Sequence, residues 1–144
     1  MAWEDPVLYQ WDSNLETGHE KIDSQHKQLI AMVNKLIEAS SSGKSAAVVT
    51  EALDFLASYA VDHFADEEQL QIDFAYPDYA DHKRKHDAFK VVVGDLTQRV
   101  KKEGPTEDLI EDVCNTIGSW LLEHIMGDDF RMAKYVKASD ISKD

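Results

Sequence analysis

Apolar residues recur every three to four positions along four stretches of the chain, which is the period of an amphipathic α-helix. The first two stripes contain Ile22, His26, Leu29, Val33 and Leu36, and then Val49, Leu53, Leu56, Ala60, His63, Glu67 and Leu70. The third and fourth contain Tyr79, His82, His86, Phe89, Val93, Leu96 and Val100, and then Ile110, Val113, Ile117, Trp120 and His124. Histidine and glutamate side chains therefore occupy positions that the pattern assigns to the core.

Three interruptions separate these stripes, and each is rich in residues that end helices or favour turns. They are Ser40-Ser41-Ser42-Gly43, Tyr76-Pro77-Asp78 and Gly104-Pro105. No strand-like alternation of any length accompanies them, and the connections are short enough to join antiparallel neighbours. The pattern predicts an all-α protein folded as an up-down-up-down antiparallel four-helix bundle.

The whole chain, residues 1–144, is predicted to form a single domain, because 144 residues that are 43% hydrophobic can build one core but hardly two. The bundle is expected to span about residues 18–137. Residues 1–17 contain Trp3, Pro6 and Trp11 and are predicted to form a non-helical arm against the bundle. Residues 138–144 are predicted to be a frayed tail.

Composition excludes several classes of partner. Fifteen Lys and Arg against 28 Asp and Glu give a net charge of -13, which would repel a phosphate backbone, so no nucleic acid is expected. No apolar run approaches the roughly 20 residues that cross a bilayer, so direct membrane insertion is not expected.

A lone Cys114 and an N-terminus without signal-peptide features predict a cytoplasmic protein. The lack of an apolar outer stripe favours a monomer.

Alternating helix directions would bring seven polar side chains to one end of the bundle. These residues are His26, His63, Glu67, His82, His86, His124 and Asp129. Residues four apart on a helix share a face, so His63 with Glu67, and His82 with His86, can each present two donors to one small volume. His124 and Asp129 are five apart, which rotates the second residue by roughly 140° on an α-helix. This pair is the weakest part of the predicted cluster.

A bound cation would remove the cost of burying seven such groups without partners. Five imidazoles and two carboxylates suit iron, zinc, copper or manganese better than calcium or magnesium, which prefer oxygen ligands. Seven donors are too many for one tetrahedral zinc ion. Two octahedral ions that share both carboxylates would use all seven, and would leave positions for a bridging oxygen and one exogenous ligand. The donor set therefore predicts a dinuclear site.

Each residue alone has a more ordinary interpretation. A lone histidine on an apolar stripe is usually a hydrogen-bonded core residue, so only the joint pattern favours metal. His19 lies two turns before His26, about 10 Å along the helix axis, and is predicted to be too distant to bind the same ions. Asp66 and Glu68, which flank Glu67, are predicted to lie on a solvated face.

Four segments that carry these donors resemble the signatures of the hemerythrin family, and the chain resembles its single-domain bacteriohemerythrins. The segments are Ile22-Asp23-Ser24-Gln25-His26, His63-Phe64-Ala65-Asp66-Glu67, His82-Lys83-Arg84-Lys85-His86 and His124-Ile125-Met126-Gly127-Asp128-Asp129. The resemblance extends from about Trp11 to Lys134, with the family's order and spacing.

The resemblance implies two non-haem iron ions bridged by Glu67, Asp129 and an oxo or hydroxo group. It assigns His82, His86 and His124 to one iron, and His26 and His63 to the other, which keeps an open position for dioxygen. The implied function is reversible dioxygen binding, for oxygen storage, transport or delivery to an oxygen-consuming enzyme. The protein would then be an oxygen carrier rather than an enzyme.

Reversible binding requires a pocket that excludes water and protons. By resemblance to the family, the expected pocket residues are Leu29, Phe64, Trp120, Leu121 and Ile125. No further proton donor is evident at this level of the stripes, which argues against oxidase chemistry. Three alternatives remain: an oxygen or redox sensor that acts through a partner, a di-iron peroxidase or oxidase, and a structural site loaded with zinc or manganese.

Overall fold

The computed structural model describes residues 9–41, 46–104 and 106–142, and these ranges contain no strand. The helices are α1 (Glu20–Ser41), α2 (Ala46–Asp73), α3 (Tyr79–Glu103), α4 (Glu107–His124) and α5 (Phe130–Ser142). A π-helical segment, Ile125–Asp129, joins α4 to α5, so that these three pieces form one continuous fourth rod. The prediction of an all-α protein is confirmed.

Each of the four rods packs against two neighbours. α1 contacts α2 and α4, and α3 contacts the same two helices. Residues 74–78 connect α2 to α3, and residues 104–106 separate α3 from α4. Connections this short reverse the chain direction, so consecutive helices run antiparallel as in an up-down-up-down bundle. The end of α2, the start of α3 and the end of α4 consequently lie at the same end of the molecule.

Local sequence determines where α3 ends and α4 begins. Gly104 has a φ of 81°, a left-handed conformation that favours glycine, and its backbone N–H donates to the carbonyl of Val100. The side-chain oxygen of Thr106 then accepts a hydrogen bond from the backbone N–H of Leu109 at 3.3 Å, which caps α4. The predicted break at this point is thus built from a C-terminal glycine and an N-terminal threonine.

The start of α1 is held by Asp23. Its Oδ1 accepts hydrogen bonds from the backbone N–H of Thr17 at 2.8 Å and from the Thr17 hydroxyl at 2.7 Å. Its Oδ2 accepts from the backbone N–H of Gly18 at 3.2 Å. These bonds fix the entry of the chain into α1 one turn before His26.

The predicted apolar stripes form the core, and the main cluster draws on all four rods. Leu36, Leu53, Val93 and Ile117 belong to it, and each is at most 2% exposed. Complete burial of such a side chain contributes about 1.5–3 kcal/mol, so this cluster provides a rigid frame beside the polar end. One position differs from the prediction, because Gln71 rather than Leu70 is the fully buried residue near the end of α2.

The described part of the N-terminal arm contains a short 3-10 turn, Ser13–Leu15, and otherwise no helix before α1. Tyr9 anchors it, because its backbone N–H donates to Asn34 Oδ1 at 2.9 Å while its carbonyl accepts from Asn34 Nδ2 at 2.8 Å. The Tyr9 ring lies so close to Gly118 of α4 that any larger side chain there would collide with it. Trp3 and Pro6 lie outside the described residues.

The last helix is longer than the sequence predicts. α5 continues to Ser142 and so includes most of the predicted tail, while residues 143–144 lie outside the described ranges. Its residues Met132 and Val136 are buried with Ile22 and Tyr76 in a second apolar cluster, which explains why helix persists here. Among the described residues, no helix is long and apolar enough to cross a membrane.

Candidate metal centre

The seven predicted donors converge at one end of the bundle, and each is at most 3% exposed. They are His26, His63, Glu67, His82, His86, His124 and Asp129. Their ligand atoms form two overlapping groups in which all atoms lie within 4.8 Å of one another. One group has three histidines, the other has two, and both contain Glu67 and Asp129.

The Glu67 carboxylate presents one oxygen to each group. Its Oε2 lies 3.1 Å from His26 Nε2 and 2.7 Å from His63 Nε2. Its Oε1 lies 3.3 Å from His82 Nε2 and 3.1 Å from His86 Nε2. The carboxylate therefore lies between the two histidine groups, with its oxygens divided between them.

The Asp129 carboxylate is divided in the same way. Its Oδ2 lies 2.9 Å from His26 Nε2, in the two-histidine group. Its Oδ1 lies 3.0 Å from His82 Nε2 and 3.2 Å from His124 Nε2, in the three-histidine group. Two acidic side chains from different rods thus connect the same pair of histidine groups.

The π-helical segment brings Asp129 into the cluster. Across this segment, the backbone N–H of Phe130 donates to the carbonyl of Ile125, which is five residues earlier. In an α-helix the acceptor would be the carbonyl four residues earlier. In a π-helical turn, residues five positions apart lie on nearly the same face of the helix. Asp129 therefore lies on the same face as His124. The five-residue spacing, the weakest feature of the sequence prediction, is unfavourable only on a regular α-helix.

Several donor atoms are buried close to other donors without a hydrogen bond. His63 Nε2 is buried and 2.7 Å from a Glu67 oxygen, yet its direction does not permit a hydrogen bond. Both Asp129 oxygens are likewise buried without one. Nε2 of His86 and Nε2 of His124 lie 2.9 Å apart, so at most one of these nitrogens can carry a proton between them. Cations would satisfy all these lone pairs, so the residues fit a metal centre.

Three further side chains bind the outer ring nitrogens of these histidines. His63 Nδ1 lies 2.7 Å from Gln25 Oε1. His86 Nδ1 lies 3.1 Å from Glu68 Oε2, and His124 Nδ1 lies 3.0 Å from Asp128 Oδ2. An acceptor at Nδ1 places the ring proton there, which leaves Nε2 free to face the centre.

The sequence pattern does not single out these three residues, and it predicts that Glu68 lies on a solvated face. In fact Glu68 is half-buried against α3. Each is adjacent in sequence to a donor, but Gln25 and Glu68 serve histidines on other helices. Only their contact across the bundle reveals the role.

Electrostatics raise the pKa of three central histidines, which are His26, His82 and His124. Burial alone would lower the pKa of His26, but the adjacent Asp129 carboxylate and the hydrogen bond with Glu67 outweigh it and raise the pKa from 6.5 to about 9. For His124, burial is outweighed by the charge of the adjacent Asp129 carboxylate and by the hydrogen bond with Asp128, which raise the pKa to about 10. Without metal, the His26 and His124 imidazoles are therefore held as cations.

The same contacts lower the pKa of both shared carboxyls. Burial would raise the pKa of Glu67, but His63 and hydrogen bonds with neighbouring histidines hold it well below 4.5. Burial and the Glu67 charge would raise the pKa of Asp129, but His124 and His26 outweigh them and depress it. Both acids are therefore carboxylates at neutral pH and available to cations.

These shifts predict how the stability of the metal-free protein depends on pH. The raised pKa values of His26 and His124 contribute stability that is complete below 6.5 and is lost as pH rises towards 9 and 10. The depressed carboxyl pKa values contribute stability that is lost on acidification below about 4. We expect the melting temperature of the metal-free protein to fall between pH 6.5 and 9, as measured by circular dichroism. His26→Gln should weaken that fall, and a flat or rising profile in the unsubstituted protein would contradict the assignment.

Aromatic rings cover the three-histidine group. Phe64 stacks on His86 with ring centroids 3.9 Å apart, and Trp120 stacks on His124 at 4.5 Å. Phe89, which the sequence analysis assigned only to the core, stacks on Trp120 at 4.3 Å. Water is therefore kept from this side of the cluster by aromatic faces.

The other predicted pocket residues are all buried but belong to two different clusters. Leu29 and Leu121 lie in the main core together with Phe64. Ile125 packs instead with Leu15 and Ile30 beneath the N-terminal arm. The role of these side chains in a ligand pocket remains a prediction.

A cleft of about 180 Å³ lies beside the two-histidine group. Every residue that lines it belongs to α1, α2 or the residue before α1, and Glu67 is among them. Gln25 and Asp66 also line the cleft and are joined by a hydrogen bond of 2.7 Å. Of the seven donors, the cleft is lined by Glu67 but not by His26 or His63.

His19 does not belong to the cluster. Its Nδ1 accepts a hydrogen bond from the backbone N–H of Ile22 at 3.3 Å, in the first turn of α1. Neither of the two donor groups includes it. The prediction that His19 is too far away to share the ions agrees with this position.

Comparison with known proteins supports the same fold. Residues 17–136 match the family model described as the hemerythrin HHE cation binding domain. A crystal structure of wild-type hemerythrin superimposes with a TM-score of 0.78 at 29% identity, covering 90% of this chain and 98% of that one. The predicted four-helix bundle is confirmed.

Two relatives extend the comparison. A bacteriohemerythrin from Stenotrophomonas maltophilia (strain R551-3) is 37% identical over 132 residues, which cover 92% of this chain and 84% of the relative. A myohemerythrin from Theromyzon tessulatum is 30% identical over 131 residues, which cover 91% of this chain and 96% of the relative. The histidine and carboxylate cluster fits the non-haem di-iron site of a hemerythrin domain, and the chain belongs to the hemerythrin family.

Proposed function

We propose that the seven clustered side chains hold two iron ions and that the protein binds dioxygen reversibly. His82, His86 and His124 would hold one iron, and His26 and His63 the other. Glu67 and Asp129 would bridge the pair, together with an oxo or hydroxo group. The observation that carries this proposal is the division of both carboxylates, each of which offers one oxygen to each histidine group.

The two groups differ in the number of ligands that they can supply. One group offers five ligand atoms and the other four, one from each residue. An octahedral ion takes six ligands. With one shared oxygen bridge, an ion in the first group would therefore have all six, whereas an ion in the second group would have five and keep one coordination position for another ligand. A small exogenous ligand would therefore bind on the side of His26 and His63.

When bound, an iron pair would supply the reversible electron transfer that dioxygen binding requires. The chain contributes orientation and protection. Gln25, Glu68 and Asp128 fix the imidazole rings through Nδ1, which preorganises the donors before metal arrives. Phe64 and Trp120 exclude water from the opposite face, which reduces the supply of protons that would make oxygen binding irreversible.

Reversible binding fits a role in oxygen storage, transport or delivery to an oxygen-consuming enzyme, and we propose carriage rather than catalysis. The test is gas-tight measurement of oxygen taken up by the reduced, iron-loaded protein and recovered under vacuum. We expect about one dioxygen per chain to be bound and recovered, without hydrogen peroxide. Consumption of oxygen beyond that amount would indicate an oxidase instead. Stoichiometric uptake without release would also contradict the proposal.

Leu29 offers a test of the apolar pocket, since it is 1% exposed and one turn from His26 on α1. Leu29→Ala should keep both irons but shorten the lifetime of the oxygenated protein by about tenfold, equivalent to about 1.4 kcal/mol in the decay barrier. The reason is that the lost side chain leaves space for water. The decay is followed by its visible spectrum at constant oxygen.

Leu36→Ala is the matched control, because Leu36 lies on the same face of α1, is 0% exposed and belongs to the same core cluster. Both variants should lose about 2–5 kcal/mol of folding stability from the cavity. Only Leu29→Ala should alter the lifetime. Equal lifetimes in the two variants would remove Leu29 from the pocket.

A further inference from the structure

Gln71 is a buried amide that the proposed ligand set does not use. Its side chain is 0% exposed, and neither Oε1 nor Nε2 has a hydrogen-bond partner among the described residues. Only its backbone is engaged, since its carbonyl accepts from the N–H of Tyr76 at 2.8 Å. A buried carboxamide without a partner is rare in proteins because it loses its bonds to water without replacement.

The position of Gln71 directs it towards the metal centre. It follows Glu67 by one turn on α2, and residues four apart lie on the same face. Side chains on an α-helix lean towards its N-terminus, so the Gln71 side chain covers the turn that carries Glu67. The nearest donor on its own helix is therefore a shared carboxylate of the cluster.

The surroundings of Gln71 at this level of the bundle are apolar. Ile22 lies one turn before His26, and Met132 lies three residues after Asp129, so both lie beyond the cluster towards the same end as Gln71. Ile22 and Met132 belong to one buried apolar cluster. Tyr76 belongs to the same cluster, but its hydroxyl forms no hydrogen bond with the Gln71 amide, so the metal centre is the polar neighbour left for this amide.

We propose that Gln71 is a positioning residue of the metal-loaded centre, and that its carboxamide hydrogen-bonds a small oxygen ligand, water or hydroxide, held within the cluster. This inference rests on the proposed metal site. It adds a polar contact to a centre that is otherwise surrounded by aromatic and aliphatic side chains and by the three polar partners of the outer ring nitrogens. The amide holds the ligand in one orientation, and it contributes only when metal is present.

The test compares metal-free and iron-loaded protein for wild type, Gln71→Met and Gln71→Leu. Both substitutions keep an apolar side chain of similar length or volume. We expect both variants to bind two irons and to melt higher than wild type without metal, because an unpaired amide is removed. The rise in melting temperature on iron loading should be smaller than in wild type by about 4 °C. Metal content, measured first, separates failure of the site from failure of this inference.

A second measurement responds to the hydrogen bond itself. The pH at which the visible spectrum of the oxidised, iron-loaded protein changes should move by about one unit in both variants. Thr97→Val is the matched control, because Thr97 is buried on α3 and its hydroxyl bonds only the carbonyl of Val93. Thr97→Val should change the melting temperatures of the metal-free and iron-loaded proteins equally, and it should not move the pH midpoint of the spectral change. The inference is wrong if iron loading raises the melting temperature of the Gln71 variants as much as that of wild type and the pH midpoint of the spectral change does not move.

Discussion

Replacing Glu67 by glutamine is expected to reduce the iron content from about two ions per chain to fewer than one. Glu67 supplies one oxygen to each histidine group, so its loss weakens both ions together. An amide lacks the charge that offsets the metal and cannot present two equivalent anionic oxygens. Outer partners of metal ligands typically contribute about 10–100-fold in affinity, and a shared ligand should exceed that range. Iron per chain is measured by elemental analysis after dialysis.

Glu51→Gln is the control for this substitution, because Glu51 lies on the same helix but is exposed. It should bind as much iron as wild type. Circular dichroism of the metal-free Glu67→Gln protein establishes that the helices are intact. A folded Glu67→Gln protein that still holds about two irons would show that Glu67 is not a shared ligand.

Removal of metal is expected to lower the melting temperature by at least about 10 °C. The donors come from all four rods, so a bound metal pair joins helices that otherwise meet through apolar packing. A ligand that binds only the folded state stabilises it by about 4 kcal/mol at a thousand times its dissociation constant. For a chain of this size, each kcal/mol shifts the midpoint by about 3 °C. The histidines must also lose protons to bind metal, so the gain should increase with pH.

The melting comparison uses chelator-treated and iron-loaded samples of the same preparation. Glu67→Gln provides the internal control, because its melting temperature should hardly respond to iron. Equal melting of the two wild-type samples would mean that metal binding is not coupled to the fold.

The apolar period of the sequence was sufficient to predict the bundle and the convergence of the donors. His63 with Glu67, and His82 with His86, share a face on any α-helix, so each pair can present two donors to one site, and the four helices together predict that the donors converge. The conclusion for Asp129 was less secure, because a regular helix turns it away from His124. Backbone hydrogen bonding around Gly127, which sequence periodicity does not report, supplies the missing rotation.

Contacts between helices were the part that sequence could not provide. Glu68 has the composition of a surface residue, and its approach to His86 depends on how α2 packs on α3. Gln71 resembles an exposed polar residue beside the apolar Leu70, yet the packed bundle buries it completely. Periodicity assigns a residue to a face of its own helix, and partners across the interface follow only from the assembled fold.

Reversible oxygen binding at a di-iron centre is tested most directly by the visible spectrum of the anaerobically reduced, iron-loaded protein. The spectrum is recorded before oxygen is admitted, afterwards, and again after purging with argon. If the centre binds oxygen reversibly, a charge-transfer band should appear with oxygen and vanish on purging, over repeated cycles. A band that never forms, or bleaching that purging does not reverse, would contradict it.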